Sequence, residues 1–201
     1  MPRPFSDEER EMIYNRLLTA GRECWERYGI RRTSVDELSA MAGIAKGSFY
    51  SFFPSKELLF MAIIEHSHDE IKQKLMEIIL REEGSPRDRF VSALTKLYEE
   101  IKQNRWMVSL MSGKGELEYL LRKLPREKIE QHKLGDDEDT KQLLALLGVS
   151  EAIRPELVSA ALRGLFFMFL HGNEIGEEEL DNAFILLLKG LANQIFEEEP
   201  A

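Results

Sequence analysis

Cysteine is nearly absent from this chain: Cys24 is the single one in 201 residues. That excludes an intrachain disulfide and a cysteine-built zinc site, and it fits a reducing compartment. Cys24 stands beside Trp25 in an apolar stripe, the setting of a packed core thiol. Long apolar runs are missing too. The longest, Ala160 to Leu170, contains Arg163 and falls short of the roughly 20 residues that span a bilayer, so no membrane partner is expected. The opening Met1-Pro2-Arg3-Pro4-Phe5-Ser6 lacks the apolar core of a secretion signal, and the expected location is the cytoplasm. Prolines number only seven against 43% hydrophobic residues, so the chain can bury a core. Neither β-type alternation nor a repeat of roughly 20–50 residues stands out. No Gly-x-Ser-x-Gly elbow, phosphate-binding glycine loop or His-Glu-x-x-His pair occurs, so no catalytic residue, cofactor or metal is assigned.

What is present reads as helix. Ser6 and Glu9 form a capping box, and Ile13, Leu17, Ala20, Cys24 and Tyr28 then recur at three- and four-residue steps up to Gly29. Ser34 and Glu37 form a second box, opening a short helix that ends at Ala42-Gly43. A two-turn helix fits 45–52. Ser55 caps a long one running to about Arg81, and Gly84-Ser85-Pro86 breaks it. Phe90, Leu94, Leu97 and Ile101 give the next helix its stripe, and residues 105–123 read as helical in two pieces around Gly113-Lys114-Gly115. Pro125 and Gly135-Asp136-Asp137 break up the next segment, and helices over about 154–172 and 177–197 close the chain. The expected fold is all-α, about nine helices, with an N-terminal helix-turn-helix head (1–55) and a larger C-terminal helical bundle (56–201).

The net charge of −9 is unevenly placed: residues 1–60 hold nine Lys/Arg and nine Asp/Glu, whereas 61–201 hold 18 and 27. A neutral head on an acidic body suits a protein that meets nucleic acid with its head alone.

Residues 33–53 carry the strongest signal. They read as two short helices joined by a tight turn at Gly43, with Leu38, Ala42, Ile44, Phe49 and Phe52 apolar and Ser39 small at the crossing. Lys46, Gly47, Ser48, Tyr50 and Ser51 are left outward, the residue types that approach phosphates and base edges. Thr33-Ser34, Leu38-Ser39, Ala42-Gly43-Ile44-Ala45 and the run Lys46-Gly47-Ser48-Phe49-Tyr50-Ser51-Phe52-Phe53-Pro54-Ser55-Lys56-Glu57-Leu58 closely resemble the head of the tetracycline-repressor (TetR) family, over about residues 8–60. The resemblance implies phosphate contacts from Thr33, Ser34, Tyr50 and Lys56, and groove contacts from Lys46, Gly47, Ser48 and Ser51. It also implies a ligand-responsive homodimer, a repressor by the family's habit, on a pseudo-palindromic double-stranded DNA operator. Ala45 departs from the pattern where a hydroxyl residue usually caps the second helix. Ser39 replaces an alanine, and Phe52 a tyrosine.

Further on, the resemblance implies a small-molecule cavity, and Trp106, Met107, Met111, Phe166 and Phe167 are its candidate lining. The last two helices are too apolar for one core stripe, and Leu162, Leu165, Phe169, Phe184, Leu187, Leu188, Leu191 and Ile195 are expected at a four-helix dimer interface. Two other readings compete. One is a regulator controlled by a protein partner. The other is a helical metal-dependent enzyme using the Glu-x-x-His of Glu65 and His68, which would require a second copy that the sequence lacks.

Overall fold

The computed structural model describes residues 5–111, 115–176 and 178–196. Ser6 starts the first helix, α1 (Asp7–Tyr28), through a complete capping box: its hydroxyl accepts from Glu9 N–H at 3.2 Å, and its own N–H donates to Glu9 Oε2 at 2.8 Å. Gly29, at φ +83°, ends it. Next come α2 (Val35–Ala42), α3 (Lys46–Phe49), α4 (Lys56–Arg81), α5 (Pro86–Gln103), α6 (Arg105–Met111), α7 (Glu116–Lys123) and α8 (Arg126–Leu146). After α9 (Pro155–Phe167), a 3₁₀ turn (Met168–His171) and the single-turn α10 (Gly172–Ile175) precede α11 (Leu180–Phe196). The described residues contain no strand, and none of their helices is long and apolar enough to cross a membrane.

The chain divides into two compact units, Met1–His68 with Lys114–Pro125, and Asp69–Gly113 with Arg126–Ala201. In the first, Leu17, Cys24 and Trp25 of α1 and Leu59, Phe60 and Ile63 of α4 are all buried, none more than 1% exposed. Trp25 meets Phe60 edge-on, ring centroids 5.4 Å apart. Gly21 permits the approach, since a Cβ there would collide with the Ile63 side chain. Burial pushes the Cys24 thiol up in pKa, as befits a core group.

In the second unit α11 packs on α5 and α9, and α8 on α9. Tyr98 lies at the centre, stacked on Phe184 with centroids 4.0 Å apart and 4.9 Å from Phe169. The Tyr98 hydroxyl reaches Asp181, which also pairs with Lys102, and these partners hold the Asp181 carboxyl below its ordinary pKa.

Two expectations fail here. Gly135-Asp136-Asp137 does not break the chain: α8 runs straight through it. The Arg163 guanidinium on α9 donates to Asp136 at 3.4 Å and Asp137 at 3.1 Å, while Leu143, Leu144 and Leu147 are buried farther along. These contacts offset the roughly 1 kcal/mol that a mid-helix glycine costs. The helix expected over 154–172 is α-helical only to Phe167 and tightens into the 3₁₀ turn beyond it.

Candidate nucleic-acid interface

Four side chains lock the two short helices of the head onto the rest of their unit. Leu38 and Phe49 are fully buried, Ala42 is 1% exposed and Phe53 6%. Phe53 stacks on Tyr14 of α1, centroids 5.3 Å apart, and Phe49 lies 6.1 Å from Phe53. Ser39, 2% exposed where α2 meets its neighbours, turns its hydroxyl back to the Val35 carbonyl at 2.7 Å. Gly43 makes the turn: at φ +72°, ψ +32° it occupies the left-handed region, and Ile44 N–H closes on the Ser39 carbonyl at 2.9 Å. Phe52, standing where the resemblance has a tyrosine, is half-buried under the Arg10 guanidinium, 4.9 Å from its ring. Arg10 also donates to the Ser51 carbonyl at 3.2 Å, tying the end of this segment to α1.

Ser34 caps α2, accepting from Glu37 N–H at 3.2 Å. The expected box is only half formed, because the Glu37 carboxylate accepts instead from the Tyr28 hydroxyl. Ala45 begins α3 with no side-chain acceptor to offer.

Several expected contact residues face solvent. Lys46 is 55% exposed at its side chain and Tyr50 52% overall; Gly47, Ser51 and Ser34 are exposed, and Ser48 is half-buried. Ser51 Oγ donates to the Ser48 carbonyl at 2.7 Å. Lys46 Nζ lies 2.8 Å from Asp36 Oδ2, and this hydrogen-bonded pair raises the lysine pKa. Among the described residues nothing lies within 4 Å of where a Gly47 Cβ would be, so the backbone is bare there.

Thr33 and Lys56 are placed otherwise than expected. Thr33 is 2% exposed and its hydroxyl donates to the Gly29 carbonyl at 2.8 Å. Lys56 turns its ammonium onto three carbonyls of the α1–α2 loop, Ile30 at 2.9 Å, Arg31 at 3.3 Å and Thr33 at 2.7 Å. Both stabilise the loop from inside, so neither presents a free donor to a phosphate. Sequence reasoning also missed Glu116, whose carboxylate accepts from the N–H groups of Ile30 and Arg31. No local pattern announces a partner 86 residues away.

The expected ligand and dimer residues divide similarly. Trp106 and Met107 are each 4% exposed on α6, where Asn104 Oδ1 accepts from both of their N–H groups. The Met111 side chain lies outside what is described. Phe166 is half-buried, its ring 5.9 Å from Phe184, whereas Phe167 is 50% exposed and faces out of the chain. Leu165, Phe184, Leu188 and Ile195 belong to the chain's own core; Leu162, Phe169 and Leu191 are half-buried, and only Leu187 is exposed. Besides Leu187, at 51%, the large apolar positions open on these helices are Leu157, Phe167 and Leu186, at 66, 50 and 71%. The stripe Phe184, Leu188, Ala192, Ile195 is spent inside the unit, and the outward face lies about half a turn away. His66 and His68 are exposed, with Glu65 half-buried. A shallow groove of about 350 Å³ lies on the head among Met12, Asn15, Arg16, Thr19 and Met41, and none of the expected ligand residues lines it.

Comparison with known proteins fits this geometry. The family model described as bacterial regulatory proteins, tetR family, matches residues 17–63. The chain is 33% identical over 112 residues to the uncharacterized HTH-type transcriptional regulator YuxN of Bacillus subtilis (strain 168), covering 56% of this chain and 37% of that one. It is 34% identical over 76 residues to the HTH-type transcriptional repressor NemR of Escherichia coli (strain K12), covering 38% of each. The matched stretch thus spans little more than a third of these relatives' own length. The crystal structure of RolR in complex with resorcinol shares the fold, with a TM-score of 0.61 at 18% identity over 98% of this chain and 99% of that one.

Proposed function

We propose that this chain is a ligand-responsive, one-component transcriptional repressor of the tetR family, from the match of residues 17–63 to that family's model and the likeness to YuxN and NemR. It binds a pseudo-palindromic DNA operator as a homodimer and releases it when a small molecule binds elsewhere in the chain. The observation that carries this reading is the surface at α3: Lys46 at its first position and Tyr50 just past its last are more than half exposed, while its inner face, at Phe49, is fully buried. Gly47, with no side chain, lets a duplex come against the backbone, and exposed Ser34 keeps a hydroxyl proton for a phosphate. In this reading residues 1–55 touch DNA, and 56–201 hold the effector and the partner copy.

Dimerisation follows from the outward apolar face of α9 and α11. Leu157, Phe167, Leu186 and Leu187 are large groups that water does not favour, and Gly164 and Gly190 have open space where a Cβ would stand. Two copies crossing there cover that face and relate two heads by a two-fold axis, with half-sites about one helical turn, roughly 34–36 Å, apart or at multiples of it. RolR, of the same fold, is solved with resorcinol. By analogy a small molecule is the proposed effector here, with Trp106, Met107 and Phe166 its candidate neighbours.

The test titrates Lys46→Ala and Tyr50→Phe proteins against a duplex selected from a random pool by the unaltered protein. Each is expected to lose about tenfold or more in affinity, the scale of one charged or specific contact. Binding by the unaltered protein should fall steeply with salt. Full affinity in both variants would refute the interface.

A further inference from the structure

Between α1 and α2 the chain crosses residues 29–34, and the direction in which it leaves sets where α2, and behind it α3, stand. This loop satisfies few of its own backbone groups: Thr33 N–H donates to the Ile30 carbonyl at 3.2 Å, and most of the rest must be held from outside. Three of its carbonyls face the Lys56 ammonium. Two of its donors face one carboxylate from far along the chain: Glu116 Oε2 accepts from Ile30 N–H at 2.7 Å and from Arg31 N–H at 3.2 Å. Ile30 is fully buried, and the Glu116 side chain is only 16% exposed.

The surroundings are shaped to this carboxylate. Gly29 stands directly against it, at φ +83°, and a Cβ there would lie 2.8 Å from Glu116 Cδ. Arg31 donates to the Gly115 carbonyl at 2.9 Å and lies over the Tyr119 ring, 5.3 Å from its centroid, while the Tyr119 hydroxyl reaches Glu57 at 3.2 Å. An acidic residue in the first turn of a helix ordinarily does no more than complement the helix dipole. Glu116 occupies that position in α7, but its carboxylate is spent on a different element. The Arg31 guanidinium contributes little of the hold: it is 53% exposed and 3.7 Å from Oε1, a geometry of low worth in water. The two N–H groups converging on one charged oxygen, that of Ile30 shielded and that of Arg31 open to solvent, are the stronger attachment.

We propose that Glu116 is a positioning residue of the DNA-binding head. Its carboxylate fixes the α1–α2 loop and through it the placement of Ser34, α2 and the recognition helix α3. The inference rests on the DNA-binding reading above. It adds to that reading a determinant of operator affinity that lies outside residues 1–60 and does not touch the duplex.

The experiment uses the full chain and the same selected duplex, at a temperature where melting curves show every variant folded. Glu116→Ala is expected to weaken binding about tenfold or more, the scale of losing charge-assisted hydrogen bonds that hold a part-buried loop. Glu116→Gln keeps an acceptor oxygen in place and is expected to stay within about threefold of the unaltered protein. Amide hydrogen exchange gives the second readout. Ile30 and Arg31 N–H should exchange faster in the alanine variant, while Leu17 and Leu18 in the core of α1 stay protected. If the alanine variant melts too low to titrate, Glu116→Asp replaces it, one methylene short of the loop and expected to weaken binding likewise. Unchanged affinity in the alanine or aspartate variant, or a glutamine variant as weak as alanine, overturns the inference. Lys46→Ala separates the two readings. If it loses affinity while Glu116→Ala does not, only the positioning role fails; if neither loses affinity, the DNA interface fails as well.

Discussion

Thr33 and Lys56 carry groups able to bind phosphate, and both are committed inside the head. The Thr33 hydroxyl bonds the Gly29 carbonyl from a position 2% exposed, and Lys56 closes on three carbonyls of one loop. Thr33→Val is therefore expected to cost about 1 kcal/mol of stability, the usual worth of a buried hydroxyl bond, and to lower operator affinity of the folded protein by less than Lys46→Ala does. Paired denaturant melts and DNA titrations check this, and a tenfold drop in affinity without loss of stability would return Thr33 to the interface. These roles were hidden in the sequence because residue type states what a side chain can bond, not which way it turns. Where the partner is local the sequence was readable: Ser6 with Glu9, Ser34 with the N–H of Glu37, and Gly43 at positive φ all stand as their spacing foretold. Where the partner is remote it was not, as with Glu116 and with Arg163 on Asp136 and Asp137.

At the scale of elements, the caps and stops of α1 and α2 and the break at Gly84-Ser85-Pro86 were legible from a few residues each, whereas the cap of α5 is a finding of the structure. In α5, Ser85 accepts from Asp88 N–H at 3.1 Å and Pro86 takes the first helical position, where its missing N–H costs nothing. Gly135 misled because glycine followed by two aspartates has the composition of a loop, and only packing against α9 tells otherwise. Since no described atom lies within 4 Å of its would-be Cβ, Gly135→Ala should add about 0.5–1 kcal/mol by relieving the cost of a mid-helix glycine. A higher midpoint in urea is the expected reading, and a lower one would mean the helix is interrupted there. The phase of α11 was the other misreading. Its sequence is apolar on most sides, so periodicity alone could not say which side meets α5 and which remains open.

At the scale of the whole molecule, the outward face of α9 and α11 is where two copies are proposed to meet. Leu186 is 71% exposed, so replacing it disturbs no core. Leu186→Asp should leave the melting of the monomer fold nearly unchanged and shift the protein to a smaller species in sedimentation, by putting an unpaired charge into an apolar contact. A dimer of undiminished strength would place the interface elsewhere. Operator affinity should fall together with the dimer, because one head alone reads half a site.

The return of α7 to the first compact unit has a bearing on engineering. A reader module cut from the front of this gene at His68 would leave behind the acid that caps Ile30 and Arg31. Grafted onto a foreign sensor, it would arrive with two backbone donors uncovered and its recognition surface loosely aimed. A working transplant has to carry residues 115–124 along, so the exchangeable part of this protein is discontinuous in sequence.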